Sequence, residues 1–304
     1  MGTSRRAGDR KSTATALSTS GGCSAALTTI EIVSEIPFLK GHGTRNDFIV
    51  VPDPDGALSL SASSVAAMCD RRSGIGADGV LRVVRGSAEP SFGAFAPGAE
   101  WFMDYRNADG SLSETCGNGL RVFARYLVDS GLAAPGRLSI GTRAGVVHVD
   151  VGEVGDVTVD MGLPRVFDTS FALVRGVKHE GLHVSMGNPH LVCVTDVPVE
   201  SLDLTAVPDV DAAVFPAGVN VEFVNVVDDA RAVMRVHERG VGETESCGSG
   251  ACAVAAALAV RAGVSGGSWQ LCVPGGELLL TLDAETAHVL LRGPAVLVAR
   301  GVWL

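Results

Sequence analysis

SLSETCGNGLRVFARYL (Ser111–Leu127) and GETESCGSGACAVAAALAV (Gly242–Val260) are two versions of one phrase. Each sets a cysteine and a Gly-x-Gly triplet before a helical pattern, which the periodicity places at Gly119–Ser130 and Gly250–Ala262. Cys116 and Cys247 are 131 residues apart. At that offset WFMDYRNADGSLSETCGNG falls on AVMRVHERGVGETESCGSG, with Met103 on Met234 and Asn107 on Glu238. GTRNDFIVV likewise resembles MGNPHLVCV, about 142 residues on. A period this long means duplicated domains rather than a solenoid. Short apolar or alternating runs such as DFIVV (47–51), GVLRVV (79–84), VVHVDV (146–151), VNVEFVNVV (219–227) and GELLLTL (276–282) read as strands. Ser61–Asp70 is a weaker helix. Each half is then a sheet wrapped on one central helix, with the helix start aimed at the interface between halves.

Composition narrows the function classes. With 304 residues, 46% hydrophobic and 19% charged, the chain is globular and holds one large domain or two ordinary ones. A net charge of −10 argues against a nucleic-acid partner. The longest Ala/Val-rich stretch, Ala251–Val260, is half a membrane span. Residues 1–27 are rich in Ser, Thr, Arg and Gly and read as a disordered extension, with an organelle transit peptide as the alternative. Seven cysteines without C-x-x-C spacing or clustered histidines point to reduced thiols in a cytoplasmic setting, with no metal site. Cys193 and Cys272 read as inert core residues.

A thiol at a helix start feels the positive end of the macrodipole and unpaired N–H groups, which lower its pKa from about 8.5 toward neutrality. The glycines let those N–H groups approach a carboxylate. If the pseudo-symmetry brings the two starts together, one carboxylate sits between two dipoles with a thiol on each side of the adjacent carbon. That arrangement inverts a stereocentre: one thiolate takes a proton from one face, and the opposite thiol returns one. Helix-start N–H groups stabilise the enolate-like charge, and no cofactor is needed. One such block alone is as well explained as a structural cap. Recurrence in a duplicated frame argues for chemistry.

Seven blocks, in order over residues 37–304, resemble the diaminopimelate epimerase family: FLKGHGTRNDF, DRRSGIGADGVL, YRNADGSLSETCGNGLRVFARYL, VSMGNPHLV, GVNVEFV, VHERGVGETESCGSGACA and VPGGEL. The resemblance implies an α+β fold of two pseudo-symmetric domains, each a mostly antiparallel mixed sheet curled around a central helix. Residues 28–160, joined by a last strand at 293–304, form one half, and 161–292 the other. It implies interconversion of LL- and meso-diaminopimelate in lysine and peptidoglycan precursor biosynthesis, without a cofactor, by a homodimer. Cys116 and Cys247 become the acid/base thiols, with His190 and Glu238 beside the reacting centre. Gly117, Asn118, Gly248 and Ser249 become the helix-start donors. Asn46, Asn107, Asn188 and Asn220, with Glu238 and Arg239, hold the substrate's amino and carboxylate groups. Gly79 stands where some relatives carry a glutamine, Ser249 where some carry a threonine, and Arg72 where a histidine is common. A proline racemase-like enzyme and a non-catalytic amino-acid-binding protein are the alternatives on this scaffold.

Overall fold

The computed structural model describes residues 35–88 and 90–304; the expected extension 1–27, with Cys23, lies outside them. Strand Ile36–Gly43 pairs antiparallel with Val296–Trp303 on one side and with Asn46–Pro52 on the other. The sheet continues through Gly79–Arg85, Trp101–Asn107, Gly136–Thr142 and Gly145–Val151 to Val157–Asp160. These steps run parallel, antiparallel, parallel, antiparallel, antiparallel. A second run starts at Arg165–Val174 and Val177–Ser185. It passes through Pro189–Val194, Asn220–Asp228, Arg231–Glu238, Gly267–Val273 and Gly276–Leu282 to Val289–Gly293. Its steps follow the same order of parallel and antiparallel pairing. The two runs join where Leu291 pairs with Val159.

Four α-helices are present among the described residues: α1 (Ala62–Cys69), α2 (Pro90–Phe95), α3 (Gly117–Asp129) and α4 (Gly248–Ala262). The first run curls around α3, whose Leu120, Val122 and Phe123 meet Phe48, Leu81, Met103 and Val159. The second curls around α4, where Ala251, Val254 and Leu258 meet Val224, Met234, Leu280 and Leu291. Burying each such Val, Leu or Phe contributes about 1.5–3 kcal/mol. Alanine suits α4 twice over, as the best helix former and as a side chain small enough to let the sheet close in.

Both central helices begin two residues before the expected Gly119 and Gly250, because each cysteine sulfur caps the first turn and the glycines lie inside the helix. The charged strand Trp101–Asn107 forms because Asp104, fully buried, is ringed by Arg82, Arg106 and Arg143. Cys193 is buried as expected. Cys272 is only half-buried, with its sulfur 3.9 Å from Glu277 Oε1, so it is not a core thiol.

Candidate active site

Cys116 enters α3 from extended backbone (φ −152°, ψ 119°), which turns its sulfur back over the first turn to accept the Gly119 N–H at 3.4 Å. Cys247 does the same for α4 (φ −118°, ψ 113°), accepting from Gly250 N–H at 3.4 Å. The two helix starts abut. A Cβ added to Gly248 would lie 3.2 Å from Asn118 Oδ1, and one added to Gly117 would lie 2.9 Å from both Met161 Sδ and Leu291 Cδ2. Glycine at both positions lets the helix starts come this close without displacing those side chains. Asn118 crosses the junction, donating through Nδ2 to Asn46 Oδ1 at 3.1 Å and to the Ser246 carbonyl at 3.3 Å. Its Oδ1 is buried with no partner among the described residues.

On the first side the Cys116 thiol donates to Asn46 Oδ1 at 3.8 Å, and Asn46 Nδ2 donates to Asp78 at 2.7 Å. On the second side Cys247 Sγ lies 3.6 Å from Ser249 Oγ, which accepts from Asn188 Nδ2 at 3.5 Å. Asn188 Oδ1 is 3.0 Å from His190 Nε2, and His190 Nδ1 is 2.7 Å from Glu222 Oε1. His190 and Glu222 are both fully buried. Glu238 accepts the Thr244 hydroxyl at 2.5 Å and interacts with both thiols. A cavity of about 500 Å³ opens beside this group, lined in part by Asn46, Asp78, Thr244 and Ser246.

Three expected residues are placed differently. Asn107 donates to Ser111 Oγ, 3.0 Å away in its own turn, and among the described residues makes no side-chain bond to either thiol's neighbours. Asn220 is buried and ties backbone, donating to the Pro189 carbonyl at 3.1 Å and accepting the Arg239 N–H at 2.9 Å. Arg239 is exposed, and its guanidinium has no hydrogen-bond or ion-pair partner among the described residues. At Gly79 an added Cβ would lie 2.7 Å from the Tyr105 ring, which occupies the space a longer side chain would need.

The expected lowering of the thiol pKa values is reversed. Burial pushes Cys116 up to about 11, against the pull of the Gly119 and Asn118 N–H groups, and Glu238 adds to the rise. Cys247 is raised further by burial and by the Glu238 and Glu222 carboxylates. Helix-start N–H groups act on both sulfurs, yet the low-dielectric junction and its carboxylates outweigh them. Burial also raises Glu238 and Glu222, the latter offset in part by His190.

Sequence reasoning missed Glu222, Thr244, Thr44 and Ser246. Thr44 Oγ1 and Ser246 Oγ are 2.6 Å apart across 202 positions of chain, a contact with no local signature. Glu222 had one: strand alternation puts it on the face of Asn220 and Val224, where a carboxylate turned toward the core has to have a partner.

A diaminopimelate epimerase family profile matches residues 38–167 and 182–298. Diaminopimelate epimerase of Acidothermus cellulolyticus is 49% identical over 294 residues, covering 88% of this chain and 96% of its own. That of Thermobifida fusca is 51% identical over 268 residues, covering 87% and 96%. A phenazine biosynthesis protein of the PhzF family from Bacillus anthracis superposes with TM-score 0.68 at 16% identity over 90% of this chain and 100% of its own. A hydroxyproline epimerase from Agrobacterium vitis does so with TM-score 0.60 at 14% identity, over 88% and 92%. At these identities the two solved structures share the fold.

Proposed function

The chain belongs to the diaminopimelate epimerase family, and on that premise we propose that Cys116 and Cys247 are the acid/base pair of a two-thiol epimerisation. The chain is an isomerase of amino-acid biosynthesis, and its reaction is the interconversion of LL- and meso-diaminopimelate, a step toward lysine. One observation carries the two-thiol assignment: the two capping sulfurs stand at helix starts that meet across the Gly248–Asn118 contact. A carboxylate at that junction receives N–H groups from both helices, which leaves a sulfur for each face of the adjacent carbon.

Burial keeps both thiols protonated at neutral pH in the free enzyme, so one proton leaves to solvent before the pair is thiolate and thiol. The thiolate then removes the α-proton, the helix-start N–H groups hold the developing enolate charge, and the opposite thiol protonates the other face. Glu238 meets the substrate ammonium, and the Asn188–His190–Glu222 chain orients the Cys247 side. Arg239, exposed and with no side-chain partner among the described residues, grips the distal carboxylate. Residues 28–160 with 293–304 form one half and 161–292 the other, a division supported by the matched order of strand pairing. A cytoplasmic homodimer is supported by the reduced thiols and by Val298, Val302 and Leu304, exposed on or beside a strand paired on one side only among the described residues.

Hydrogen exchange at the α-carbon in deuterated water tests the mechanism. Wild type should wash in deuterium from both stereoisomers, while Cys116→Ser and Cys247→Ser should each lose net epimerisation, because a serine hydroxyl is too weak an acid to serve. Appreciable turnover by either single variant would rule out the thiol pair. The same assay should show kcat/KM rising across pH 7–9, since the thiolate fraction grows tenfold per unit below a pKa of about 11.

A further inference from the structure

Arg121 is fully buried on α3, five residues after its capping thiol, and no carboxylate pairs with it among the described residues. Its Nε donates to the Pro294 carbonyl at 3.2 Å and one Nη to Thr44 Oγ1 at 3.2 Å, while the other Nη is buried without a partner. The other buried arginines are neutralised. Arg82 meets Asp53 at 2.6 Å, and Arg125 meets Asp129 at 3.4 Å and three carbonyls. A glycine makes room for the guanidinium: an added Cβ at Gly43 would lie 2.8 Å from its Nη.

At the matching position of α4, 131 residues on, stands Cys252, small, fully buried and in electrostatic contact with Arg121. The repeat therefore installs one cation between the helices, not two. Burial pulls Arg121 down to about 10, which leaves it charged at neutral pH. A hydrogen-bonded route runs from it toward the first thiol. Thr44 Oγ1 is 2.6 Å from Ser246 Oγ, Ser246 Oγ accepts from Asn118 Nδ2 at 3.4 Å, and Asn118 meets Asn46, which accepts from Cys116. The charges acting on Cys116 are Glu238 and, more weakly and in the opposite sense, Arg121, and Cys116 in turn acts on Tyr105; those acting on Arg121 are Cys116, Cys252 and Asp156. An unpaired buried cation is costly to keep unless a negative charge arises near it.

We propose that Arg121 is the buried counter-charge that lets Cys116 hold a thiolate, a positioning residue that acts through the sulfur without touching substrate. This rests on the two-thiol mechanism above. The test follows Cys116 itself in the full chain: alkylation by iodoacetamide as a function of pH, read at the Cys116 peptide by mass spectrometry. Arg121→Met and Arg121→Gln should move the Cys116 titration up by about one unit or more and slow alkylation about tenfold at a fixed pH below it. In both, kcat should fall with KM little changed. Arg121→Lys keeps the charge and should titrate as wild type does. Methionine in place of a lone buried cation is a mild change for the fold. A Cys116 titration unmoved in the neutral variants overturns the proposal, and so does failure of both to fold. Turnover by Cys116→Ala would instead fault the two-thiol mechanism, a result independent of where Cys116 titrates.

Discussion

Beneath the first turn of α3 the sheet is apolar, whereas beneath the first turn of α4 it is ionisable. Phe48 and Leu81 lie 3.6 and 3.2 Å from a Cβ added to Gly119. Their counterparts in the second run are His190 and Glu222, in the same parallel strand pair, and Glu222 Oε1 lies 2.6 Å from a Cβ added to Gly250. Asn107 is likewise matched by Glu238, and Arg121 by Cys252. The backbone duplicated while the chemistry diverged: the carboxylates gathered behind Cys247 and the buried cation behind Cys116. Two sulfurs in the same cap geometry therefore stand in different surroundings: Glu238 raises both, Glu222 adds to the rise at Cys247, and Arg121 opposes it at Cys116.

Transplanting one floor into the other gives the largest expected effect. His190→Phe alone strands the buried Glu222 carboxyl and should cost about 3–5 kcal/mol, the loss for breaking a buried pair. Glu222→Leu alone leaves a buried imidazole N–H unpaired, at about 1–3 kcal/mol. The double variant copies Phe48 and Leu81 and should return to within about 1.5 kcal/mol of wild type, while turnover stays lost. Urea unfolding of the four proteins measures this, and additive losses would show that His190 and Glu222 do not act as a pair.

Glycine-to-alanine changes sharpen the same contrast on a smaller scale. Gly250→Ala drives a methyl into the Glu222 carboxylate and should cost about 2–3 kcal/mol. Gly119→Ala meets the movable end of Leu81 at 3.2 Å and should cost about 1 kcal/mol or less. Equal thermal midpoints for the two variants would mean that the floors are equally yielding.

A further contrast is alkaline. Burial pushes Cys69 to about 11 and raises Cys252 further, against about 8.5 in an unfolded chain. Between pH 9 and 11 the unfolded chain therefore binds fewer protons than the folded one, so stability falls as pH rises through that window. Calorimetry should show the midpoint dropping there, and dropping less steeply in Cys252→Ala, which removes the thiol that α4 carries opposite Arg121. An unchanged slope in that variant would remove Cys252 from the effect.

Local pattern determined much of this protein. Repetition at 131 residues marked both central helices, both capping cysteines and the equivalence of the strands around them, because caps and periodicity act over a few residues. It did not mark Ile36–Gly43, Trp101–Asn107 or Arg165–Val174 as strands. The first holds Lys40 and two glycines, the second becomes tolerable only once Arg143 reaches Asp104, and the third has an outward face with little hydrophobic alternation. Dipole reasoning placed the thiols at helix starts, yet the sign of their pKa shift belongs to the tertiary structure. Desolvation depends on what closes over a sulfur, and Glu238, Glu222 and Arg121 reach it from other strands or another turn of helix. Only folding decided that Thr44 meets Ser246, that Glu222 stands behind Gly250, and that no carboxylate pairs with Arg121 among the described residues, since none of these is encoded by local spacing.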